Sequence, residues 1–147
     1  MRLGTLSDIS YCVFSAFCIG SFEYELVSRI NDITPEEAVS LFNTACSDIP
    51  VGYRLSDIAH LYECPGYYIS YATSALASLE LFFDLMEDKD SAVENYEKMA
   101  EISCYSGEYT FREALDKCGF EDVLTEKFIT DISKKLSDYA QSITALS

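Results

Sequence analysis

One histidine and a run of tyrosines are the residues here whose types and spacing suggest chemistry. His60 is the single histidine of 147 residues, and Tyr67, Tyr68 and Tyr71 follow it in the stretch H-L-Y-E-C-P-G-Y-Y-I-S-Y. Each side chain has an apolar body and a polar tip that needs a partner when buried. Gathered at a helix entrance, an imidazole and several phenols can aim hydrogen-bond donors at a substrate carbonyl. On the residues alone the plainer account is favoured. The tyrosines are then core residues with satisfied hydroxyls, and a lone histidine without a Cys or Glu partner is a loop or cap residue.

Two elements must position these groups. Downstream, Tyr68, Tyr71, Ala75, Leu79, Phe82 and Met86 recur at steps of three and four, which predicts one face of a long central helix ending near Glu87-Asp88. Pro65 suits its first turn, and Ala72, Ser74, Ala75, Ala77 and Ser78 would let another helix approach closely. Upstream, residues 54–63 read as a short helix with Leu55, Ile58 and Leu61 on one side. His60 lies near the C-terminal end of that helix, where the helix dipole would favour an imidazolium.

The remaining chain reads as helices throughout. The first is expected from Leu6 to Ile30, capped by Ser7 or Thr5, with Ile9, Val13, Phe14, Phe17, Phe22 and Leu26 inward and Glu23 and Glu25 on the wet side. Thr34-Pro35-Glu36-Glu37 is a capping box with proline in the first turn, so a second helix folds back on the first and ends by Asp48-Ile49-Pro50. Asp90 or Ser91 opens a helix to Ser103 with Val93, Tyr96, Met99 and Ala100 inward, and Ser106-Gly107 makes a turn. Thr110 to Glu113 is a second capping box, stopped by Gly119 in a left-handed conformation. A last helix runs from Thr125 to Ala145 through Phe128, Ile132, Leu136, Tyr139 and Ile143. With no strand signal, repeat or glycine-rich phosphate loop, the expected fold is all-α: a multi-helix bundle forming one domain over residues 1–147.

Composition narrows the function classes. Twenty-five acidic against 10 basic residues give a formal charge of −15, which repels nucleic acid and anionic membrane surfaces, so neither is an expected partner. The apolar segment Tyr11–Phe22 is too short to span a bilayer and lacks the basic flank of an export signal. Six cysteines (Cys12, Cys18, Cys46, Cys64, Cys104, Cys118) without any C-x-x-C read as reduced thiols of a cytoplasmic protein.

The stretch H-L-Y-E-C-P-G-Y-Y-I-S-Y-A-T-S-A-L-A-S-L resembles the C-terminal region of the oligoendopeptidase F and thimet-oligopeptidase family of zinc peptidases. There a histidine precedes a helix start reading like P-F-Y-x-Y-x-Y-A; Gly66 and Ile69 stand where that family often has aromatics. The resemblance implies a zincin-type C-terminal helical portion acting on oligopeptides. In that portion His60 and Tyr71 donate to the oxyanion while Tyr67 and Tyr68 hold the substrate backbone. It also implies zinc in the complete enzyme, yet this chain has one histidine and no H-E-x-x-H, so it carries no metal site of its own. F-E-Y-E at residues 22–25 resembles the helix that follows the zinc-binding region. The expectation is therefore a substrate-binding portion that is inactive alone and pairs with a zinc-bearing half, with an exposed apolar face and a homodimer when that half is missing. The alternative is a stand-alone acidic α-helical domain that binds peptides or proteins.

Overall fold

The computed structural model describes residues 3–50, 52–103 and 107–145, with the side chains of Leu3, Thr5 and Leu6 outside the description. Among the described residues there are seven α-helices, one 3-10 turn and no strand, so the chain is all-α as its periodicities predict. By internal contacts it falls into two compact units, Met1–Ala75 and Leu76–Ser147.

The first unit opens with α1 (Leu3–Ser28), 26 residues long and therefore longer than the helix read as central. Ser7 lies inside it rather than at its cap, and the alternative cap, Thr5, falls outside the described side chains. Phe14, expected inward, is 43% exposed; the buried face carries Ser15, Ala16, Ile19, Phe22 and Glu23. α2 (Pro35–Ala45) starts on the expected capping box: Thr34 Oγ1 accepts from the Glu37 N–H at 3.3 Å, and the Thr34 N–H donates to Glu37 Oε2 at 2.9 Å. Those bonds from Thr34, backbone first, hold the Glu37 carboxyl below its usual range. Phe22 of α1 meets Phe42 of α2 edge-to-face at 5.2 Å, and with Ile19 and Ile58 they form the buried core of this unit. Burying each phenylalanine contributes about 2 to 3 kcal/mol.

Residues 54–63 do not make one helix. A 3-10 turn over Leu55–Asp57 is followed by the single-turn α3 (His60–Glu63), because Ile58 leaves helical geometry (φ −93°, ψ 84°) to put its side chain into the core. Pro65 then falls in a turn, and α4 (Tyr68–Glu87) begins three residues later than expected.

α4 continues into the second unit. Its buried positions are Ala72, Thr73, Leu76, Ala77, Leu79, Glu80 and Phe83; of the face that the periodicity marks, Leu79 is buried, while Tyr71 is 39% and Met86 56% exposed. α5 (Lys89–Ser103) is capped by Asp88, whose Oδ1 accepts the Ser91 N–H at 3.2 Å, rather than by Asp90 or Ser91. Ala92 is its buried residue, and Val93, Tyr96 and Ala100 are exposed. Cys104 and Ser106 lie outside the described residues. α6 (Phe111–Cys118) has the second capping box, Thr110 with Glu113, and stops at Gly119, which adopts φ +81° as its left-handed role requires. α7 (Glu126–Thr144) buries Phe128 and Ile132, and Tyr139 packs edge-on against Phe82 and Phe83 at 5.3 and 6.1 Å.

Candidate functional site

The turn between α3 and α4 decides where the histidine and tyrosines meet. Gly66 takes φ +83°, a left-handed conformation that other residues adopt only with strain, and the Tyr67 N–H closes the turn on the Cys64 carbonyl at 3.1 Å. The Gly66 N–H donates to Glu23 Oε1 of α1 at 2.7 Å. Glu23, expected on the wet side, is therefore a buried clasp holding this turn against α1; only Glu25, paired with Arg29 at 3.7 Å, sits partly in water. Nothing nearby in sequence reveals that role, because the donor is a backbone group 43 residues away.

The clasp doubles the chain back so that the opening of α3 faces the first turn of α4. His60 Nε2 lies 3.2 Å from the Tyr71 hydroxyl. The His60 ring centroid is 5.2 Å from Tyr67 and 6.1 Å from both Tyr68 and Tyr71; Tyr67 meets Tyr71 edge-on at 4.9 Å. All four residues singled out in the sequence thus form one cluster. Tyr67 is 44% and Tyr71 39% exposed, while Tyr68 and His60 are half-buried. Tyr67 and Tyr71 lie at the surface, whereas Tyr68 packs against the Ile19, Phe22, Phe42 and Ile58 core as the plainer account has it.

Two of the phenols are harder to ionise than a free tyrosine. Desolvation first, and then Tyr67, raises the Tyr71 hydroxyl above its ordinary value; desolvation, then Tyr53 and Tyr71, raises Tyr68. Behind them Tyr11 donates to the Tyr53 hydroxyl at 3.0 Å and is pushed up to about 12, chiefly by that bond. His60 opens a one-turn helix rather than ending a longer one, so the dipole argument for a charged imidazolium does not apply. Its Nδ1 is buried with no partner. When the ring proton is on Nε2, Tyr71 accepts it, and its own O–H, engaged with the Tyr67 hydroxyl, would have to turn from that partner to reach a ligand carbonyl.

These residues do not fit a zinc ion. Among the described residues no group of three or more His, Cys, Asp or Glu side chains converges, and a catalytic zinc takes three protein ligands. No described helix is long and apolar enough to cross a membrane.

A second feature lies in the same unit. An open apolar groove of about 940 Å³ runs along α1 from Phe17 to Val27 and is flanked by Leu61, Tyr62 and Ile69. Glu23 is the one carboxylate among its lining residues. Val27, Ile30 and Tyr62 are 65%, 60% and 64% exposed there. Compared with protein-family models, curated proteins and solved structures, the chain matches none.

Proposed function

We propose that the first unit grips peptides with its histidine–tyrosine cluster, as the substrate-binding portion of a zinc oligopeptidase-like machinery would. The observation that carries this reading is the His60 Nε2–Tyr71 hydroxyl pair at 3.2 Å, open to solvent beside two further phenols. Tyr71 donates to a peptide carbonyl or the oxyanion that develops from it, and His60 sets the direction of that O–H. Tyr67 and Tyr68 hold the substrate backbone. The described residues bring together no zinc site, so the part proposed for them is to bind and orient, with any zinc held by another segment. The chain alone should not cleave peptides.

The test follows the His60 ring signals by NMR while an oligopeptide is titrated into the full chain. Saturable shifts are expected, and Tyr71→Phe should abolish them while leaving the helical spectrum unchanged. Ring signals that stay still at millimolar peptide, or that respond equally in Tyr71→Phe, would overturn the assignment.

A second reading, the acidic α-helical interaction domain, is favoured by a different observation: the exposed apolar groove along α1. An open trough of this kind on one face of a helix is where a partner helix docks.

A further inference from the structure

We propose that this groove docks an amphipathic helix of another protein that carries a lysine or arginine among its apolar residues, with the cationic head reaching Glu23. The proposal rests on the interaction-domain reading and deepens it by naming the partner's chemistry. It does not require the peptide-gripping role of His60, whose cluster contributes no residue to the groove.

Shape sets the first condition. Phe17 to Val27 occupy about three turns of α1, roughly 15 Å of trough. A single amine-bearing small molecule would leave most of that length wet, whereas a helix laid along it covers Val27, Ile30 and Tyr62 together. Ridge-into-groove packing against α1 is the ordinary way such a face is covered.

Charge sets the second condition. Glu23 is 9% exposed; its Oε1 takes the Gly66 N–H at 2.7 Å, and its Oε2 has no partner. A carboxylate oxygen buried without a donor costs free energy that an incoming N–H group recovers. No Lys or Arg stands among the lining residues to supply that donor from within. A second copy of this chain is a poor occupant: each copy carries a formal charge of −15 and would bring the same carboxylate to the contact. A basic amphipathic helix meets both conditions, with apolar residues for the walls and one cation for Glu23.

The probe is a fluorescein-labelled Leu/Ala amphipathic peptide of about 16 residues with one Lys centred on its apolar face, measured by anisotropy against the full chain. Its twin carries norleucine at that position. The Lys peptide is expected to bind about tenfold more tightly than the twin, as a charge-assisted hydrogen bond allows. Glu23→Gln, which keeps an oxygen for Gly66, should erase the preference, and Val27→Asp should abolish binding of both. The twin comparison needs no variant, so it decides even if Glu23→Gln does not fold. Equal binding of the twins overturns the proposal and leaves the interaction-domain reading standing. Binding of neither peptide overturns both. A dimer in light scattering that Val27→Asp dissociates would assign the groove to a second copy and overturn the proposal as well.

Discussion

Replacing Glu80 by glutamine should stabilise this protein at neutral and alkaline pH and make little difference in mild acid. Glu80 is 8% exposed on α4; its Oε1 accepts the Glu121 N–H at 2.7 Å, and its Oε2 has no partner. Burial pushes its carboxyl from 4.5 up to about 7; the Glu121 N–H and Lys135 oppose that rise, while Asp84 and the Glu121 carboxylate add to it. Lys135 is itself committed to Glu87 at 3.0 Å, which limits its help. The sign follows from the raised value. Between about pH 4.5 and 7 the folded chain keeps a proton that the unfolded chain releases. The stability of the neutral group is complete below 4.5 and lost as pH climbs to 7. At about 1.4 kcal/mol per pH unit the loss amounts to at most about 3 kcal/mol. Glutamine keeps the acceptor for Glu121 and never ionises, so any packing defect it introduces is a pH-independent offset. Asp84, raised chiefly by burial, tilts wild type and variant alike. Urea unfolding followed by circular dichroism from about pH 5 to about pH 8 should show the variant gaining on wild type by up to about 3 kcal/mol. A gap that stays constant across that range would refute the reasoning.

Two further outcomes can be checked directly. Gly119→Ala should cost about 1 to 2 kcal/mol or more in urea midpoint analysis, because φ is +81° and the added Cβ would stand 2.9 Å from Asn95 Oδ1; a neutral effect would mean that the stop of α6 is not held left-handed. Exposed Cys64 should be alkylated well before Cys46, whose thiol is pushed up to about 11 by burial and then by Cys18; peptide mass mapping that shows equal rates would contradict that burial.

What could be read in the sequence was what local chemistry decides. Both capping boxes and the Gly119 stop were legible because each is settled within a few residues. The join of His60 to its tyrosines was legible as a grouping, but not the path that achieves it: a broken helix at Ile58, a turn at Pro65-Gly66 and a later start for α4. Ile58 leaves the helix for the core beside Phe42, a contact that periodicity cannot show. On α4 the periodic face joins buried Leu79 to exposed Tyr71 and Met86, which count as apolar in any periodic pattern, while Ala72, Leu76 and Phe83 are buried beside it. Glu23 and Glu80 were the least legible. A carboxylate in an apolar helix reads as a wet-side residue until the amide that it holds, some forty positions away, is known.

Those two glutamates have an uneven consequence for how the sequence can drift. Each fastens a distant main-chain amide, Gly66 in one unit and Glu121 in the other. At the amide end of the second bond any residue except proline supplies the same hydrogen, so that end leaves almost no trace in the choice of side chain. Only the acceptor end is tied to a residue type. A lone acid in a greasy helix, with nothing beside it to explain it, is then the visible half of a bond whose other half can wear almost any side chain.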